Sequence, residues 1–68
     1  MAMHIILNGQ VRDCAASITL ADLLKETGYA QRRVAVEVNR EIVSRSRHAT
    51  HVLAEGDHVE IVHAMGGG

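Results

Sequence analysis

A chain of 68 residues is one domain, and 47% hydrophobic residues suffice for one globular core, although Phe and Trp are missing and Tyr29 is the only aromatic. Seven basic against eight acidic side chains give a formal charge of -1, which excludes a nucleic-acid binder, since one of this size is strongly basic and offers aromatics for stacking. The single cysteine, Cys14, excludes an internal disulfide and a cysteine-cluster metal site, and no apolar run approaches a membrane span.

At this size only about 60% of the unfolded surface is buried on folding, so stability is marginal. The core must be filled by eight Val, five Ile and five Leu, with help from Met and Ala. The start "MAMHIILNGQ" lacks a signal-peptide layout, and a small fold without disulfides fits a reducing compartment, so the expected location is the cytoplasm.

"MHIIL" (Met3–Leu7) is apolar and β-branched, which predicts a strand. Asn8-Gly9 then marks a tight hairpin, with "VRDC" as the antiparallel return strand. The period changes in "SITLADLLKETG". Thr19 is the predicted N-cap, and Asp22 stands three residues on as its capping-box partner. Ile18 and Leu23 occupy the two positions of a hydrophobic staple. Leu20, Leu23, Leu24 and Thr27 share one helical face, and Gly28 ends the helix.

"RRVAVEVNRE" alternates again, with Val34, Val36 and Val38 on one face and Ala35 and Glu37 on the other. Asn39-Arg40 turns the chain into a short strand, "EIVS". From Arg45 to His51 the pattern fades into a polar connection. "AEGD" (54–57) is a turn, and "HVEIVHA" is the last strand, with Val59 and Ile61 facing the core.

The order β-β-α-β-β-β predicts an α+β roll, with one helix packed on a mixed sheet of four or five strands. Ile6, Val62 and His63 are the candidate partner contacts of the body, the first two as an apolar patch on the outer face of the sheet.

The expected division is a domain over 1–64 and a flexible C-terminal tail over 65–68. Ala64, Met65, Gly66 and Gly67 form a narrow arm that a partner is expected to grip, because glycine offers no side chain to obstruct a channel. Five extended residues reach at most about 17 Å. The group delivered is the α-carboxylate of Gly68. A carboxylate is a poor electrophile until ATP converts it to an acyl-adenylate, from which sulfur or an amine displaces AMP.

Four stretches together resemble the ThiS family, the ubiquitin-like β-grasp sulfur carriers of thiamine biosynthesis. These are "ILNGQ", "TLADLL", "VAVEVNREIVSRS" and "LAEGDHVEIVHAMGGG", and they cover nearly the whole chain. The resemblance implies a β-grasp fold and a terminal glycine pair, here Gly67 and Gly68. It implies adenylation of the Gly68 carboxylate, its conversion to a thiocarboxylate and sulfur delivery to the thiazole ring. ATP is then used by the partner and no cofactor is tightly bound. The implied partners are a ThiF-type adenylyltransferase, a ThiG-type thiazole synthase and a sulfur-donating cysteine desulfurase, with no nucleic acid and no membrane. The chain would be a protein cosubstrate and not an enzyme.

Three positions depart from the family pattern. Gly66 stands where a polar residue is common, Ser44 where proline is expected, and Met3 where the family usually begins. Carriers for molybdopterin or cysteine synthesis, and a ubiquitin-like modifier of lysines, share this fold and tail.

The remaining polar residues carry weaker signals. His48 and His51 form an H-x-x-H pair without a third ligand, and the histidines are expected to face solvent. Arg32, Arg33, Arg40, Arg45 and Arg47 are expected to be solvated or paired with Glu37 and Glu41. Cys14 reads as a small buried residue and not as a sulfur-handling group.

Overall fold

The computed structural model describes residues 2–63. Strand β1 (Ala2–Leu7) turns through Asn8 and Gly9 into β2 (Gln10–Ala15). Both turn residues take positive φ, 49° and 83°, as a two-residue hairpin with the right-handed strand twist requires. The pair is antiparallel and closes at Leu7↔Gln10.

Helix α1 (Leu20–Thr27) forms where the local signals coincide. The Asp22 N–H donates to Thr19 Oγ1 at 3.2 Å, so half of the expected capping box is made. Ile18 and Leu23 are both buried, as the staple requires. Gly28 (φ 85°) ends the helix: its N–H donates to Lys25 O, and the Tyr29 N–H donates to Leu24 O at 2.8 Å. That bond pair is a Schellman cap.

Strands β3 (Val34–Val38) and β4 (Glu41–Val43) form a second tight hairpin through Asn39 and Arg40, at φ 51° and 71°. The final strand, β5 (His58–His63), lies at the centre of a five-stranded sheet ordered β2-β1-β5-β3-β4. It runs antiparallel to β3 and parallel to β1, through Ile6↔His58 and Leu7↔Val59. This is the mixed sheet and single helix expected of the α+β roll.

The core lies between one sheet face and α1. Met3, Ile5, Cys14, Val36, Val38, Val59 and Ile61 meet Leu20, Leu23 and Leu24, and Ile18 and Leu53 close the ends. Tyr29 packs on its margin. Burying so many branched aliphatic side chains, at about 1.5–3 kcal/mol each, supplies the main driving force.

Residues 45–51 correct the expectation of a loose polar connection with solvent-facing histidines. Arg45–Arg47 is a 3-10 helix, and the turn after it runs beneath the start of α1. The Leu20 N–H donates to His51 O at 3.0 Å, and the Ala21 N–H donates to His48 O at 2.9 Å. These carbonyls satisfy two amides that a helix start leaves without intrahelical partners. His48 is consequently buried, only 7% exposed, and its Nε2 lies 3.0 Å from Val43 O. The partner is a carbonyl, so Nε2 carries the proton.

Among the described residues no helix is long and apolar enough to cross a membrane. Arg32, Arg33, Arg40, Arg45 and Arg47 are exposed. Of the two expectations for them, the solvated one fits. The ion pairs among the described residues are Arg12–Glu26 at 3.5 Å and His4 with Asp13 and Glu55.

Candidate functional site

Gly68, with the arm residues Ala64, Met65, Gly66 and Gly67, lies outside the described residues, as does the expected boundary at 64. What the structure supplies is the platform from which this segment departs: the end of β5 and the two sheet faces beside it.

Alternation along β5 puts Val59, Ile61 and His63 on the helix side and His58, Glu60 and Val62 on the outer side. Val62 is exposed, and its cross-strand neighbour is Ala35. Ile6 is half-buried on the same outer face, opposite Val11 of β2. Both candidate docking residues therefore lie where expected, but not as one patch. Ile6 is in register with His58, four residues before Val62. Between the two apolar corners Glu37 and Glu60 stand directly opposite one another. Exposed Ile42, the neighbour of Glu37 on β4, makes a third corner.

Val11 and Ile42 escaped the sequence reading. Their signal was present in the alternation of "QVRDCA" and "EIV", but their face depends on the hairpin registers. The outer face can thus offer an acidic centre with apolar corners. It faces away from the core cluster, and Glu37, Asn39, Arg40, His58 and Glu60 line an open depression of about 340 Å³ on it.

His63, the third candidate partner contact, lies on the helix side of the sheet and not on the outer face with Ile6 and Val62. Its ring meets Tyr29 edge to face, with centroids 5.3 Å apart and planes at 63°. The side chain is still exposed, so the contact leaves one flank of the imidazole open.

The root of the segment is also held through the backbone. The Asn8 N–H donates to Val59 O at 2.9 Å, and Asn8 Oδ1 accepts the Ile61 N–H at 2.8 Å. The first hairpin turn is thereby stitched to the middle of β5. On the other flank Asn39 does the same near the start of β5. Its N–H donates to His58 O at 2.7 Å, and its Oδ1 accepts the His58 N–H at 3.0 Å.

Cys14 sits in the core layer of β2, opposite Met3. Burial first, and then the negative charge of Glu26, push its thiol above the ordinary value. A buried neutral thiol is a poor nucleophile. Among the described residues no three ligating side chains converge on a metal position.

A family model described as the ThiS family matches residues 5–68. The sulfur carrier protein ThiS of Escherichia coli is 33% identical over 66 residues, which are 97% of this chain and 100% of the relative. A thiazole synthase of Magnetococcus marinus is 46% identical over 66 residues, 97% of this chain. The chain spans only 20% of that relative's length. The crystal structure of a thiamine biosynthesis protein (ThiS) from Geobacter metallireducens matches with a TM-score of 0.85 at 33% identity, covering 97% of this chain and 100% of that one.

Proposed function

The chain belongs to the ThiS family, and on that premise we propose that it carries sulfur for thiazole formation in thiamine biosynthesis, as a protein cosubstrate. The observation that carries this reading is the extent of the family match, which runs through the glycine segment to Gly68. A match ending at β5 would have supported the fold alone.

With Gly68 as the terminal residue, its carboxylate oxygen attacks the α-phosphorus of ATP within a ThiF-type adenylyltransferase, and pyrophosphate leaves. The product is an acyl-adenylate, a mixed anhydride with a good leaving group. The outer sulfur of a persulfide formed by a cysteine desulfurase attacks the acyl carbon and expels AMP, and a thiol then cleaves the acyl disulfide, releasing the thiocarboxylate and leaving a disulfide. The resulting thiocarboxylate is the sulfur donor. Every bond change lies on the terminal group, so this chain contributes recognition and reach, and the adenylating and sulfur-transfer catalysis belongs to its partners.

The proposed acceptor is a ThiG-type thiazole synthase. Its support is a relative named thiazole synthase that contains, as one fifth of its length, a segment 46% identical to this chain. One polypeptide holding both parts is what a recurrent partnership between them would produce.

The test is intact-mass measurement after incubation with ATP, the cognate adenylating enzyme and a sulfur source. The unaltered chain should gain the mass of one oxygen-to-sulfur exchange at its C-terminus. Chains lacking Gly68, or extended by one residue beyond it, should not. Equal conversion of all three would overturn the assignment to the Gly68 carboxylate.

A further inference from the structure

The chain enters its glycine segment directly from β5, and the hold on the end of that strand is one-sided. Pairing with β3 continues to Val34↔His63. On the other flank, pairing with β1 stops at Leu7↔Val59. The Asn8 side chain extends that flank by one bond, to Ile61. Past Ile61 no strand lies on that flank among the described residues. A strand end with few partners opens more readily than the body of the sheet.

A ring contact stands at this place. His63 lies on the helix side of the sheet, and its imidazole meets Tyr29 at 5.3 Å between centroids. Tyr29 is fixed from its own side. Its N–H donates to Leu24 O in the cap of α1, and its side chain packs against the core cluster. The last described residue of β5 is therefore tied to the C-terminal cap of the helix. Tyr29 is the only Phe, Tyr or Trp in the chain, and it is placed against the residue that precedes the glycine segment.

Resting on the sulfur-carrier reading, we propose that Tyr29 and His63 form a positioning pair, which fixes the place and direction from which residues 64–68 reach the adenylating enzyme. Neither ring needs to touch the reacting atoms, because Gly68 stands five residues beyond His63. A segment with a fixed root loses less freedom on docking, so the pair favours association and leaves the chemical barrier alone. Its loss should appear in the KM of this protein as a substrate, and not in kcat. A ring pair of this kind corresponds to a factor of about 2–12 in an equilibrium constant.

Pyrophosphate release by the cognate adenylating enzyme, with ATP saturating and the full-length carrier varied, tests the pair. Tyr29→Leu keeps apolar bulk against the core and removes the ring. Its KM should rise about three- to tenfold with kcat held within about twofold. Tyr29→Phe should keep the KM of the unaltered chain. His63→Ala should repeat the rise, and His63→Phe should restore the lower value. His63 is exposed, so this second couple decides the matter if Tyr29→Leu fails to fold. Val43→Ala, at the half-buried margin of the core, is the stability control, and should lower Tm without moving KM.

KM values for both Tyr29→Leu and His63→Ala within about twofold of the unaltered chain would overturn the proposal, because a purely structural role moves Tm alone. A loss in Tyr29→Phe equal to that in Tyr29→Leu would also overturn it, by tracing the effect to the hydroxyl. An unaltered chain that elicits no pyrophosphate release removes the sulfur-carrier reading, and this proposal with it.

Discussion

The side-chain oxygen of Asn8 accepts the backbone N–H of Ile61 at 2.8 Å, joining the first turn of the chain to its last strand. Asn8 thus has two roles. It occupies the left-handed region at φ 49°, which Asn tolerates better than most residues. It also supplies the acceptor that β1, already turning away, no longer offers to β5. Replacing Asn8 by Gly keeps the turn and removes the bond, and should cost about 1 kcal/mol. Asn8→Ala removes the bond and also puts in the left-handed region a residue that tolerates it less well than Asn, and should cost about 2–3 kcal/mol. Urea unfolding separates the two. Equal losses would mean that the turn conformation carries no energetic weight.

His48 provides a second stability test. Its ring is buried, and its Nε2–H donates to Val43 O at 3.0 Å. His48→Ala opens a void and removes that bond, so a loss of about 2–3 kcal/mol is expected. His48→Leu refills most of the volume and should lose only about 1–2 kcal/mol, the share of the missing bond. If both variants unfold at the urea concentration of the parent, His48 is a passenger in this segment.

The elements legible in the sequence are those whose signals are local. Thr19, Gly28 and the Ile18–Leu23 pair mark helix α1 within ten residues, and Asn8-Gly9 and Asn39-Arg40 mark both hairpins. The parallel pairing of β1 with β5 was not legible, because it joins residues more than fifty positions apart and no turn signal encodes it. Residues 45–51 were missed for a related reason. Their shape comes from the helix amides they satisfy, and alternation does not record that demand. The candidate site divides in the same way. The role proposed for Gly68 lies outside the described residues and is supported by the glycine segment together with the family match. The separation of Ile6 from Val62, and the contact of His63 with Tyr29, follow from register and packing.

Ser44 stands where the resemblance to the family leads to the expectation of proline. Its backbone, φ -64° and ψ 152°, already has the shape that proline imposes. The preceding residue, Val43, ends a β-strand, and an extended residue is what proline tolerates before it. Ser44→Pro should therefore stabilise the protein by about 0.4–1 kcal/mol, by restricting the unfolded chain. The substitution gives up the contact between the Ser44 and Ser46 hydroxyls at 3.2 Å, which is solvent-exposed and of small weight. A raised urea midpoint with an unchanged m-value is the expected result. A lowered midpoint would show that the Ser44 N–H or hydroxyl is needed where it stands.

The raised pKa of Cys14 links stability to alkaline pH. Burial, followed by the negative charge of Glu26, disfavours the thiolate in the folded protein. The unfolded chain then releases the thiol proton at a lower pH than the folded chain does. Stability from this group is complete below the unfolded value, about 8.5, and is lost as pH rises from there through the folded value. Cys14→Ala costs packing at every pH but lacks this slope. The stability difference between parent and variant should therefore narrow above about pH 8.5. Iodoacetamide provides an independent readout. Alkylation of the native protein should be far slower than that of the urea-unfolded chain, and limited by opening of the β2 edge. A native alkylation rate equal to the unfolded one would show that the thiol is exposed, and a difference in stability that stays constant with pH would show that its folded pKa is not raised.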